Sequence, residues 1–149
     1  MEYLIQLVTA TIGTFGFAAV FNVRGKNLFY ATLGGFLTWC AYLIAEIFFT
    51  PNEYICGFVG SVILTLYAEG MARMQKTPVT VFIVAGAIPL IPGGALYRSM
   101  SYLTHQNWER FGAQSSYALL FAASMSAGIT LTTIFFRIVC RFMYSQRRM

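Results

Sequence analysis

Charged and catalytic side chains are scarce in this sequence. Aspartate is absent, so the 5 acidic residues are all glutamates, and His105 is the only histidine. Charged residues make up 10% of the chain, whereas a soluble domain carries about 25%. With no nucleophile placed beside a base, the sequence offers little from which to build an enzyme active site. A single histidine excludes a histidine-based metal cluster, and we predict no cofactor.

Apolar residues take the place of the missing charge, and they form long segments. Hydrophobic residues account for 58% of the chain. Since a soluble surface is built from charge, most of this surface must face lipid or another apolar partner. Crossing a hydrocarbon core about 30 Å thick takes about 20 helical residues. We therefore predict an all-α integral membrane protein, a single transmembrane domain over residues 1–149, with about five helices: 3–21, 28–49, 54–74, 78–103 (broken near 89–94) and 115–136.

Positive charge follows every second apolar segment. The other ends hold Glu2, Glu53 and the mutually cancelling Glu109 and Arg110. Because cytoplasmic loops are enriched in lysine and arginine, this alternation predicts a multi-pass protein of the cytoplasmic membrane, with its N-terminus outside and its C-terminus in the cytoplasm. The net charge of +5 therefore needs no nucleic-acid partner. The basic residues that follow the first, third and fifth segments are Arg24, Lys26, Arg73, Lys76, Arg137, Arg141, Arg147 and Arg148.

Prolines and glycines interrupt the fourth segment. Pro89 and Pro92, followed by Gly93 and Gly94, should end a helix, because proline lacks the backbone donor and clashes with the preceding turn. Secondary transporters build their binding sites from such discontinuous helices. We predict a second half-helix after the break, whose free amides from Gly93 to Ala95 face an anionic group such as a carboxylate. A kink that serves only packing is the alternative.

Four charged residues lie within predicted spans, where charge is expensive and indicates function, and three of them are candidates for a functional role. Arg98 is predicted either to clamp a substrate carboxylate or to reach the outer interface. Glu69 is predicted either to couple export to protons or to form an ion pair with Arg73, one turn further on. Glu46, near the outer end of the second helix, is a second candidate for proton coupling, or simply an interfacial residue.

Small and hydroxyl-bearing residues line one face of the third helix and one face of the fifth. Residues four apart share a face of a helix, and small residues favour close packing between helices in a membrane. We predict that both faces pack against neighbouring helices. They comprise Gly57, Ser61 and Thr65 on the third helix, and Ser126, Thr130 and Thr133, beside Ala122 and Ala127, on the fifth.

Several stretches resemble the smaller half of the threonine/serine exporter family. The resemblance covers nearly the whole chain, and the proline-glycine stretch is its most specific part. The stretches are Phe17–Val23 (FAAVFNV), Ala68-Glu69 with Arg73, Lys76-Thr77-Pro78, and Ile88–Gly94 (IPLIPGG) leading into Tyr97 and Met100.

The resemblance implies a transporter of ten helices, of which this chain supplies half. In split members of the family the large half is a separate transmembrane polypeptide, so the resemblance implies a large partner subunit. Family substrates include threonine and serine, and some split pairs are associated with succinate export. Arg98 departs from the small or polar residue expected after Tyr97, so any role for it rests on its charge.

We therefore expect a subunit of an exporter for small carboxylate-bearing metabolites, threonine and serine foremost, coupled to protons. Substrate is expected near Pro89, Pro92, Gly93 and Gly94. Export of dicarboxylates such as succinate, a non-transporting scaffold subunit and a higher oligomer remain open as alternatives. Further candidates for lining the path are Asn22, Tyr97 and Arg98.

Overall fold

The structure, a computed structural model, describes residues 1–49 and 52–146. All regular structure in these two ranges is helical, which confirms the predicted all-α class. The elements are α1 (Glu2–Val20), α2 (Lys26–Phe49), α3 (Glu53–Gln75), α4 (Val79–Ala87), a 3₁₀ turn (Ile88–Leu90), α5 (Gly93–Thr104) and α6 (Trp108–Gln146).

Four of these helices, α1, α2, α3 and α6, are each long and apolar enough to cross a membrane. The fourth predicted segment is divided as expected, since α4 and its 3₁₀ turn meet α5 at an angle of 60°. Pro89 lies inside the 3₁₀ turn and Pro92 immediately precedes α5. Neither proline can donate the backbone hydrogen bond that would continue an α-helix, so the helix stops and restarts in a new direction.

The last helix extends well beyond its predicted bounds of 115–136. It runs from Trp108 to Gln146, 39 residues, which is about 58 Å of helix against a hydrocarbon thickness of about 30 Å. Apolar periodicity marks the part that fits lipid, whereas helix-forming polar residues such as Glu109 and Gln114 continue the helix outside it. Arg147 and Arg148, two of the predicted basic residues, lie outside the described residues.

Helices α3 and α6 run parallel to each other. Tyr117 contacts Glu53 at the start of α3, and Phe136 contacts Arg73 near its end. The intervening α4–α5 pair therefore carries the chain from one end of α3 back to the other. The chain therefore has four candidate spans, and five if the bent pair crosses the membrane once.

Glycines allow these helices to approach closely. A Cβ atom at Gly128 of α6 would overlap the Ser61 hydroxyl and lie 3.0 Å from the Phe58 carbonyl oxygen of α3. A Cβ at Gly35 of α2 would overlap Thr14 of α1. The predicted small-residue face of α3 does pack on a neighbouring helix, and that neighbour is α6.

Basic residues gather at one end of the bundle, which we call the basic end. There Ala18, Ala31, Ala72 and Phe82, from four different helices, form a buried cluster. The turns after α1 and α3 lie beside this cluster, and Phe136 brings α6 alongside. The opposite end, with Glu46 and Glu53, is the acidic end. Among the described residues, the basic end holds Arg24, Lys26, Arg73, Lys76, Arg137 and Arg141.

Candidate functional site

Cavities flank the break between α4 and α5 on both sides. A groove of about 640 Å³ lies between α5 and α6, with Pro92 on its wall. A second cavity of about 320 Å³ lies between α1, α2 and the 3₁₀ turn, with Pro89 on its wall. A third of about 120 Å³ borders both prolines. The break is therefore the part of the backbone that small molecules could approach from two directions.

The N-terminus of α5 leaves two backbone amides open. The Gly93 amide donates to the Ile91 carbonyl at 2.7 Å, and the Leu96 amide donates to the Pro92 carbonyl at 3.1 Å. Between them, the amides of Gly94 and Ala95 have no acceptor among the described residues. The predicted run of three free amides is thus reduced to two, because the Gly93 amide closes a tight turn around Pro92.

The Arg98 side chain folds back along α5 toward this N-terminus. Its guanidinium nitrogens lie 3.8 and 3.9 Å from the position that a Cβ of Gly94 would occupy. A helix N-terminus carries partial positive charge, so a cation beside it is unfavourable by itself. An anion bound between the Arg98 guanidinium and the free amides would satisfy both groups.

Gly93 has open space around it. Nothing lies within 4 Å of the position that its Cβ would take, and it is not among the residues with positive φ. Neither packing nor backbone conformation within the described chain therefore requires glycine here. Close approach of another molecule to the backbone is a third reason for glycine.

Two other predicted substrate residues, Asn22 and Tyr97, line none of the three cavities. Asn22 lies at the basic end, in a left-handed conformation with φ of 60°, and its Oδ1 accepts a hydrogen bond of 2.7 Å from Arg24 Nε. Asn22 thus shapes the turn after α1, and its part in lining the path stays a prediction. Tyr97 lies on α5 near the break, and its side chain is 76% exposed.

Glu69 is buried, and the predicted ion pair with Arg73 is not formed. The Glu69 side chain is 7% exposed, and no described cation lies within 4.0 Å of its carboxylate. Arg73 instead lies over the ring of Phe136, with Cζ 4.8 Å from the ring centroid. A guanidinium is weakly hydrated and stacks well on an aromatic face, so Phe136 replaces the carboxylate as its partner. Glu46 is exposed at the acidic end.

The hydroxyl face predicted on the last helix does not pack as expected. Ala122, Ser126 and Thr130 are exposed and line the large groove, while Thr133 is half-buried. The helix α5 is short and covers only the first half of α6. Composition alone could not predict which part of α6 would be left uncovered.

Sequence analysis missed the polar lining on the α1 side of the break. Gln6, Thr9 and Gly13 line the cavity there, opposite Trp39 of α2. The three α1 residues recur at spacings of three and four along an otherwise apolar helix, which places them on one face. That pattern of polar and small residues was the available signal. Among the described residues, no group of three or more metal-ligating side chains is gathered.

Four continuous spans and a bent pair, with open backbone between cavities, define a polytopic membrane protein with the architecture of a secondary transporter. The family model described as "Threonine/Serine exporter, ThrE" matches residues 6–135. The chain belongs to the threonine/serine exporter family, which confirms the resemblance seen in its sequence. No solved structure matches this chain.

Proposed function

We propose that this chain is the smaller subunit of a proton-coupled exporter for small carboxylate-bearing metabolites, with threonine and serine as its substrates. The observation that carries the proposal is the N-terminus of α5, where the amides of Gly94 and Ala95 are free and the Arg98 guanidinium lies beside the Gly94 position. A carboxylate suits this arrangement, because helix N-termini and arginine both bind anions. Membership of the exporter family supports the choice of threonine and serine.

A large transmembrane partner subunit is part of the proposal. Five crossings give a small bundle, and the α5 surface that bears Tyr97 and Arg98 is exposed. Lipid is a poor environment for an arginine and for hydroxyl groups at Ser126 and Thr130. A partner helix over these surfaces would cover them and complete the walls of the groove.

Proton coupling is assigned to Glu69 in this proposal. Its carboxylate is buried on α3 without an ion pair among the described residues. This enclosed position within the bundle supports Glu69 over Glu46, which is exposed at the acidic end.

The proposed orientation in the cytoplasmic membrane has the basic end facing the cytoplasm. Arginine and lysine in short loops bias those loops toward the cytoplasm, and Arg24, Lys26 and Lys76 lie in or beside two such loops. The N-terminus and the acidic end then face outward, and the break lies nearer the outer side.

Export of radiolabelled threonine, serine and succinate tests the proposal. Cells would express this chain either alone or together with a large subunit of the same family. We expect efflux of threonine and serine only when both chains are present. Gly93→Leu should abolish it by filling the space in front of the α5 amides. Gly112→Leu is the matched control, since Gly112 also has nothing within 4 Å of its Cβ position but lies on α6 away from the break.

Each outcome discriminates between the alternatives. Efflux of succinate alone would replace the amino-acid substrates by dicarboxylates within the same architecture. Absence of any efflux from a well-assembled complex would contradict a transport role and favour a scaffold subunit. Equal effects of the two leucine variants would remove the α5 N-terminus from the proposed site.

A further inference from the structure

Two short turns lie side by side at the basic end. One joins α1 to α2, and the other joins α3 to α4. Val23 in the first turn and Val79, the first residue of α4, both pack against the buried cluster of the basic end. The turns therefore bring three cations onto the same end face of the bundle, and all three side chains are exposed. They are Arg24, Lys26 and Lys76.

No acidic side chain offsets these three cations. Among the described residues, no carboxylate oxygen lies within 4.0 Å of their side-chain nitrogens. Four of the 5 glutamates belong to elements at the acidic end, and the fifth, Glu69, is buried. Charge of one sign without local compensation attracts ions of the opposite sign. The end face is therefore complementary to an anion outside the chain.

The backbone of each turn includes a residue in an uncommon conformation. Asn22 and Lys76 have left-handed φ values of 60° and 54°, which few residues other than glycine adopt. The Asn22 side chain also accepts a hydrogen bond of 2.7 Å from Arg24 Nε. A guanidinium has five N–H donors, so this bond orients Arg24 and leaves its terminal nitrogens available to a ligand.

Exposed apolar side chains adjoin the cations. Phe21 follows the end of α1, Phe29 lies in the first turn of α2 and Met74 lies in the last turn of α3. Each of them is more than half exposed. A soluble anion such as inorganic phosphate leaves these side chains uncovered, whereas a phospholipid joins a phosphate to acyl chains. The ends of membrane-length helices lie at the depth where headgroups and acyl chains meet.

We propose that this face binds an anionic phospholipid. Its phosphate lies among Arg24, Lys26 and Lys76, and its acyl chains run along the exposed apolar side chains. Arginine can bind a phosphate through two parallel hydrogen bonds, and each basic residue near a membrane surface adds to the attraction for anionic lipid. Lipid binding here requires no transported substrate, so it goes beyond the proposed function. We call this face the turn surface; it comprises Phe21, Arg24, Lys26, Phe29, Met74 and Lys76.

Lipid titration of the purified protein tests the proposal. The chain, with any subunit that co-purifies, is titrated with phosphatidylglycerol or with phosphatidylcholine of the same acyl chains, and bound lipid is counted by native mass spectrometry. We expect phosphatidylglycerol to bind at least about tenfold more tightly, and equal affinities would contradict the proposal. Displacement of phosphatidylglycerol by millimolar inorganic phosphate would make a soluble anion the occupant and would also overturn it.

The double variant Arg24→Gln with Lys76→Gln removes two charges from the turn surface. Its affinity for phosphatidylglycerol should fall about thirtyfold, while binding of phosphatidylcholine stays the same. The matched control is Arg137→Gln with Arg141→Gln, which removes the same charge from exposed positions of α6 at the same end. The control should lose far less affinity. Equal losses in the two double variants would replace the turn surface by a diffuse attraction to the whole basic end.

A variant that keeps both charges separates charge from folding. Arg24→Lys with Lys76→Arg should retain phosphatidylglycerol binding, and thermal melting checks that each variant is folded. Loss of binding in this variant, at an unchanged melting temperature, would overturn the role given to charge. Lys76→Gln alone, expected to weaken binding about fivefold, replaces the double glutamine variant where that protein does not fold, and unchanged binding in it would contradict the proposal.

Discussion

Tyr117 of α6 donates a hydrogen bond to the carboxylate of Glu53, the first residue of α3. Just below it, Ser124 donates to the Tyr54 carbonyl oxygen at 2.6 Å. These two bonds tie the acidic ends of α3 and α6 together. They set the parallel arrangement that makes the α4–α5 pair return the chain across the bundle.

Removing the Tyr117 hydroxyl should loosen this junction. We expect Tyr117→Phe to lower the free energy of unfolding by about 1 kcal/mol, the net value of a hydrogen bond, measured by thermal melting in detergent. Glu53→Gln should be milder, because the amide oxygen still accepts from Tyr117. Tyr3→Phe, at an exposed tyrosine of α1, is the control, and an equal melting temperature for Tyr3→Phe and Tyr117→Phe would contradict the prediction.

Gly128 should be intolerant of even one methyl group. Gly128→Ala places Cβ against the Ser61 hydroxyl and the Phe58 carbonyl, so α3 and α6 must separate, at a cost of roughly 1–3 kcal/mol. Gly112→Ala adds the same methyl group to the same helix in open space and should be neutral or stabilising by up to about 1 kcal/mol. Melting of both variants checks this, and a Gly128→Ala protein as stable as Gly112→Ala would show that the contact is looser than described.

Labelling from outside the cell tests whether the bent pair crosses the membrane. Lys76→Cys and His105→Cys flank the pair at exposed positions, in a background where the three native cysteines are replaced. A membrane-impermeant maleimide should label His105→Cys on intact cells, and Lys76→Cys only after permeabilisation. Labelling of both positions from the same side would mean that the pair re-enters instead of crossing.

Glu69→Gln should uncouple export from the proton gradient. The substitution keeps the size of the buried side chain, so the complex should assemble normally, but it removes the group that titrates. We expect export to fall and to lose its dependence on external pH. Glu109→Gln, at an exposed position in the first turn of α6, serves as the control. Wild-type pH dependence in Glu69→Gln would assign coupling elsewhere.

Arg98→Ala should weaken substrate binding without disturbing the fold. A charge-assisted hydrogen bond contributes about 1.5–3 kcal/mol, so we expect the substrate concentration for half-maximal export to rise roughly ten- to hundredfold. Arg110→Ala removes another exposed arginine, one that lies 5.8 Å from the Tyr102 ring centroid, and should leave export unchanged. Equal kinetics in the two variants would favour the interfacial role for Arg98.

Local chemistry was enough to predict the break and its consequences. Pro89 and Pro92 stop a helix in any context, because the missing amide is a property of the residue itself. Which side chains surround the break could not be predicted in the same way. Trp39 lies beside the break because α2 packs next to the 3₁₀ turn there.

The partner of the Arg73 guanidinium could not be predicted from the sequence either. Glu69 and Arg73 share a helix face at a spacing that permits a pair, yet the Arg73 guanidinium lies over Phe136, far away in the chain. Spacing along one helix limits which residues can meet, whereas the helix packed beside it decides which of them do.

The sequence by itself determined the class of protein and the position of the break. These follow from properties carried by single residues and short segments: apolar length and the missing amide of proline. Only the tertiary structure decided that Arg73 packs on Phe136 instead of pairing with Glu69, and that Trp39 borders the α1 cavity. Each of these depends on which helices lie side by side, and helix packing in lipid is set by the close fit of small residues across the whole bundle.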